Sequence, residues 1–268
     1  KEGPHAIGVI LGNGRFYALR QAKPYKVKSF GFPKLQMQVK VTYTDGTTEL
    51  IKTDDSWKAT TDGPITANNE YDGETYDARK EMPGWATVGF DDRVWIKAAY
   101  VQEPGGNYES QLSAGMKVMQ DIPPVSVTKK TDGRYIVDFG QNFSGWVKMR
   151  VHGKQGTQVK LRFAESLTAD GELFTTNLRD AKATDLYILR GGEQEQWEPR
   201  FTYHGFRYVE VDGYPGNLQS DDIVGRFVYD EMANIGKFHS SNALLNQIHQ
   251  NAWWGIASNY KGIPVDCP

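Results

Sequence analysis

The sequence predicts an all-β chain of two β-sandwich (jelly-roll-like) domains followed by one C-terminal helix. Three observations predict it: short runs of alternating apolar and polar residues recur along most of the chain, glycine-rich punctuation separates them, and only the last segment carries helical spacing. At 268 residues the chain fits two ordinary domains, each expected to bury its own core.

Over residues 35–43, Leu35, Met37, Val39, Val41 and Tyr43 alternate with Gln36, Gln38, Lys40 and Thr42, the period of a half-buried antiparallel strand. The following Asp45-Gly46 pair takes positive φ readily, so residues 48–53 are expected to return as the second arm of a hairpin. Residues 102–124 contain Pro104-Gly105-Gly106 and Pro123-Pro124, with little periodic signal beyond a short run at 116–119. The domain boundary is expected there, giving domains over about 1–110 and 115–232. In the second, residues 146–151, 158–163, 183–189 and 206–211 repeat the strand pattern between Gly153, Gly156, Gly191-Gly192 and Gly213. Residues 233–268 differ. Ser240-Ser241-Asn242 offers helix caps, and Leu244, Leu245, Ile248, Ala252 and Ile256 recur at helical spacing until Gly262 and Pro264 stop the helix. The stripe Leu244, Ile248, Ala252 and Ile256 is expected to lie against the chain's own sandwiches, to be covered by a neighbouring molecule, or to be poorly ordered.

Composition excludes several functions. A formal net charge of −2, from 31 basic and 33 acidic residues interspersed, creates no field that gathers nucleic acid or anionic lipid. Neither nucleic acid nor a membrane is expected as a partner. Cys267 is the single cysteine, which excludes an internal disulfide and a Cys-based zinc site, and the five His show no ligand spacing. No apolar run approaches the roughly 18 residues of a membrane span, and Lys1-Glu2-Gly3-Pro4 does not resemble a signal peptide. The first residue is not expected to be the native start, and a periplasmic or extracellular setting is favoured. Seven Trp and fourteen Tyr suit sheet cores and also the apolar faces of sugars. His204 lacks a nearby nucleophile motif and is expected to be structural rather than a general base. Glycoside hydrolysis needs two converging carboxylates, and sequence spacing does not say which Asp and Glu converge.

Several motifs stand in order along the chain: DFGQNFSGW at 138–146, FAESL at 163–167, Asn177 through Tyr187, and Trp197 through Val211 with its HGFRYVEV. Upstream are IGVILGNG at 7–14 and DGETYDAR at 72–79. Together they resemble the bacterial α-L-rhamnosidases, the family 78 glycoside hydrolases, over nearly the whole chain. In the 138–146 motif, Gly140 and Gly145 are expected to permit tight turns, with Gln141 and Asn142 satisfying buried backbone groups at the entry to a sandwich. Glu165 and Asp185 are read as hydrogen-bonding anchors, with Arg179 and Arg207 as partners.

The resemblance implies that the helix begins an (α/α)₆ catalytic barrel and that the intact protein hydrolyses terminal α-L-rhamnose from glycosides or polysaccharides with inversion. Asp266-Cys267-Pro268 resembles the opening of the family's "DCP-x-R-x-E" stretch, and Asp266 matches the position that contacts rhamnose. Both catalytic carboxylates of the family fall beyond Pro268, so this chain alone is expected to be inactive, with its own catalytic barrel as its partner. Arg15 stands where the family commonly has an aromatic. No cofactor is expected, apart from calcium: some members carry a calcium-dependent rhamnose-binding module, and Asp72, Glu74 and Asp77 are the oxygen-rich candidates here. The competing reading is a stand-alone carbohydrate-binding β-sandwich protein without an enzyme domain, which leaves the capped helix and the Asp266-Cys267-Pro268 ending unexplained.

Overall fold

In the computed structural model, residues 3–18, 30–103, 105, 107 and 109–265 are described. Local chemistry builds the first hairpin as expected: Gln38–Thr42 pairs antiparallel with Thr48–Lys52, Thr42 opposite Thr48. Gly46 takes φ +84°, and the Asp45 carboxylate accepts the Thr47 N–H at 2.9 Å. The alternation is real but shallow, since Val39, Val41 and Ile51 are only half-buried. Among the described residues before 115, Ala18 and Ala78 are the buried hydrophobic side chains, while Val94 is 90% exposed. Most apolar side chains of the described first segment are thus half-buried or exposed, and the fully buried hydrophobic residues concentrate in the main body.

The main body is a curled ten-stranded sheet. Its order runs Ile65–Asn69, Gly73–Asp77, Thr184–Ile188, Gln158–Ala164, His204–Asp212, Tyr135–Val151, Ile223–Asp230, Met116–Ile122, with Glu195–Trp197 and Ser126–Lys129 also paired to the long Tyr135–Val151 strand. Met116–Ile122 is a full strand where the sequence showed only a short run. The first two strands come from the expected first domain, and Gly73–Asp77 joins Thr184–Ile188 in parallel with Tyr76 opposite Tyr187. Gly73 permits this join: a Cβ there would lie 2.1 Å from the Thr184 carbonyl oxygen.

The core centres on Phe143, Phe163, Phe206 and Phe227, each 1% exposed or less. Phe206 sits 4.5 Å from Phe143 and 4.9 Å from Phe163, centroid to centroid. Truncating any one of these to alanine costs about 3–5 kcal/mol.

Asn242 caps the helix Ala243–Asn259 by accepting the Leu244 N–H at 2.9 Å. Gly262, at φ +82°, then turns the chain between the short strands Tyr260–Lys261 and Ile263–Pro264. The stripe expected to cover the sheet does not: Leu244 is 66%, Ile248 54% and Ile256 57% exposed. A different face docks. Trp254 stacks on Phe227 at 4.7 Å, Trp253 meets Tyr229 edge-on at 6.1 Å, and Ala257 is buried beneath. Two indoles on an aromatic sheet surface bury more area than the aliphatic stripe could, so they decide the orientation. Among the described residues no helix is long and apolar enough to cross a membrane.

Candidate functional site

The 138–146 motif is a bulge in mid-strand. Asp138 lies opposite Tyr208 and Phe143 opposite Phe206, so four residues of the long strand, 139–142, stand against Arg207 alone. Gly140 makes the excursion at φ +72°. Asp138 fastens it, accepting the Gly140 N–H at 2.7 Å and both Arg207 donors at 2.8 and 2.9 Å. The guanidinium holds the Asp138 carboxyl below its usual range. Gly145 makes no turn: a Cβ would lie 1.8 Å from the Arg226 carbonyl oxygen, so glycine here allows close strand approach. Asn142 satisfies no buried backbone; its amide donates to Glu165 at 2.9 Å, and Asn177 donates to the other Glu165 oxygen at 3.2 Å. Glu165 is an anchor as expected, but its partners are asparagines. Arg207 is taken by Asp138, and Arg179 instead lines a shallow basic cleft of about 430 Å³ with Lys160, Arg162 and Lys182. Lys160 and Arg162 there are paired with Asp212 at 3.0 Å and Glu210 at 3.1 Å.

Asp185 anchors a buried polar hub. Its Oδ1 accepts the Glu74 N–H at 2.9 Å and contacts His204 Nε2 at 3.0 Å, while the His204 ring stacks on Phe163 at 4.1 Å. His204 is thus structural, as expected. Glu74, 1% exposed, accepts the Arg200 and Phe201 N–H groups at 3.1 Å each on Oε2; its Oε1 has no partner among the described residues. Burial pushes the Glu74 carboxyl up to about 7, and the negative charge of Asp185 adds to the rise. A carboxylic acid poised near 7 could in principle exchange protons with a substrate. Enclosure forbids that here, and the two amides give it a structural duty: it ties the loop at 200–201 to the strand Gly73–Asp77.

The calcium candidates do not converge. Glu74 and Asp77 are three apart on one strand and so point to opposite faces of the sheet. Asp77 caps the turn Ala78–Lys80 and binds Arg79 through both oxygens, at 2.8 and 2.7 Å. Asp72 is half-buried beside them. Among the described residues no three His, Cys, Asp or Glu are grouped to hold a metal. Asp266 lies outside the described residues. Arg15 turns to Glu70 and the Tyr71 hydroxyl.

A second polar cluster escaped the sequence reading. Lys261 Nζ donates to Ser144 Oγ, to the Ser258 carbonyl at 2.7 Å and to the Val228 carbonyl at 3.0 Å, with the Tyr203 ring 5.0 Å away. Ser144 also donates to the Ser258 carbonyl, at 2.8 Å. Beside it, Asp230 accepts the Gly262 N–H on both oxygens, at 2.8 and 2.7 Å. Burial lowers the Lys261 ammonium to about 8, against the opposing pull of Asp230. Three acceptors saturate an ammonium's three donors. The only sequence signal was a lysine between an apolar helix and a glycine, too common a pattern to single out.

An all-β body whose buried carboxylates serve its own frame, with one helix docked through tryptophans, defines a structural β-sandwich unit leading into a helical segment. Family models match it piece by piece: the α-L-rhamnosidase N-terminal domain over residues 1–120, the bacterial α-L-rhamnosidase concanavalin-like domain over 128–229, and the bacterial α-L-rhamnosidase 6 hairpin glycosidase domain over 233–268. The chain belongs to the bacterial α-L-rhamnosidase family. An α-L-rhamnosidase of Streptomyces avermitilis is 42% identical over 238 residues, 88% of this chain and 23% of that protein. One from Formosa agariphila is 37% identical over 276 residues, 99% of this chain and 29% of that protein. The chain thus spans between a quarter and a third of such relatives, or slightly less. Among solved structures, the α-L-rhamnosidase from Dictyoglumus thermophilum superposes with a TM-score of 0.89 at 44% identity, covering 96% of this chain and 28% of that one. The Streptomyces avermitilis enzyme complexed with L-rhamnose gives 0.83 at 40% identity, covering 86% and 22%.

Proposed function

We propose that this chain is the non-catalytic front part of a longer, inverting α-L-rhamnosidase, with sandwiches over about 1–110 and 115–232 and the opening of the catalytic barrel over 233–268. The whole protein would hydrolyse terminal α-L-rhamnose from glycosides or polysaccharides: one carboxylic acid protonates the leaving oxygen while a carboxylate on the opposite face activates water. Both carboxylates would come from the barrel, and Asp266 would contact the sugar. The observation that carries this reading is the helix Ala243–Asn259, which is pinned to the sheet by one face and presents Leu244, Ile248 and Ile256 outward, as the first helix of a larger helical body would. The reading frame after Pro268 is the test. It should supply an arginine and a glutamate within a few residues and then a long helical region. A stop codon close to Pro268 would contradict the proposal and favour the stand-alone binding module.

A further inference from the structure

We propose that Lys261 is a positioning residue, which clamps the sandwich to the segment 262–265 and so sets the path on which the chain leaves the sheet towards the catalytic part. The inference rests on the rhamnosidase reading for its enzymatic consequence, and on geometry for the clamp. Lys261 bridges three separate elements: Ser144 on the long strand, Val228 on the neighbouring strand Ile223–Asp230, and Ser258 in the last turn of the helix. Without it, the carbonyls of Val228 and Ser258 would lose a charged donor in a mostly buried place, where an unmet polar group is costly. One residue further, both oxygens of Asp230 hold the Gly262 amide, and the Val265 amide donates to the Asn259 carbonyl at 2.8 Å. The chain is therefore fixed at 261, 262 and 265, the last immediately before Asp266. None of these groups is free to react with a substrate: each donor is engaged within the protein, so the role is placement rather than chemistry.

The same contacts hold the exit of the helix, whose Leu244, Ile248 and Ile256 are exposed. Trp253 and Trp254 fix its middle, and the clamp fixes its exit. A sugar site built on the chain that leaves here needs a fixed reference, and a neighbouring sheet is a better one than a loop.

Two measurements test the proposal. In this chain, Lys261→Met should raise amide hydrogen exchange at Gly262 and Val265 by about tenfold or more, with the amides of Tyr135–Val151 unchanged. Asp230→Ala should free Gly262 in the same way, whereas Asp230→Asn, which keeps an acceptor, should restore most of the protection. In the longer protein that continues through the barrel, Lys261→Met should lower kcat/KM for an aryl α-L-rhamnoside by about 10- to 100-fold, mainly through KM, with the thermal midpoint of the barrel unmoved. Unchanged exchange at both amides, or unchanged kcat/KM in a folded variant, overturns the proposal. Absence of turnover in the unsubstituted longer protein is a different result: it sinks the enzyme reading, and the exchange measurement then decides on the clamp by itself.

Discussion

Two backbone amides hold one oxygen of Glu74 while the other is buried with no partner among the described residues, and burial sets its response to pH. With its carboxyl raised from 4.5 to about 7, the folded chain keeps a proton that the unfolded chain has released between those values. The resulting stabilisation is complete below about 4.5, is lost as pH rises through about 7, and amounts to about 3 kcal/mol. Urea midpoints should therefore fall between pH 5 and pH 8, and Glu74→Gln, neutral throughout, should flatten most of that fall; an equal fall in the variant would place its source elsewhere. Sequence flagged Glu74 as a cation ligand because acidic residues cluster at 72–77, but it could not see that a strand sends Glu74 and Asp77 to opposite faces. Titration calorimetry with L-rhamnose and calcium is accordingly expected to give no heat with this chain. Calcium-dependent heats that vanish on Asp77→Ala would reinstate the site.

Elements defined by local chemistry were legible. The Asp45-Gly46 hairpin, the strands around 158–163 and 206–211, and the Asn242 cap all follow from periods and turn residues within a few positions of one another. What distant partners decide was not legible. Gly145 reads as a turn glycine, yet it sits flat between His204 and Phe227 on its two neighbouring strands. Gly145→Ala would drive a Cβ against the Arg226 carbonyl and should cost about 1–3 kcal/mol or more, read as a lower denaturation midpoint. A variant as stable as the parent would show that the two strands can separate without loss. The helix teaches the same point: its aliphatic stripe is the stronger sequence signal, but Phe227 and Tyr229, far away in sequence, select the tryptophan face.

For the whole molecule, the all-β class and the terminal helix were readable from pattern, whereas the way the halves interlock was not. Strands Ile65–Asn69 and Gly73–Asp77 complete the main sheet, and Asn13 reaches Asn68 with hydrogen bonds of 2.7 and 3.1 Å, so the motif at 7–14 is tied to that same edge. Gly12 lies flat against the Phe201 ring, where a Cβ would come within 2.2 Å. These joins add to those that the buried carboxylates of Glu74 and Asp185 make between the same strands and the main body. On the proposed function, both catalytic carboxylates belong to the barrel and not to this frame. The most direct measurement incubates a chromogenic α-L-rhamnoside with this chain and, separately, with the protein extended through the barrel. No aglycone release above buffer is expected from the chain alone and inverting turnover from the extended protein; turnover by the chain that survives repurification would contradict the proposed function.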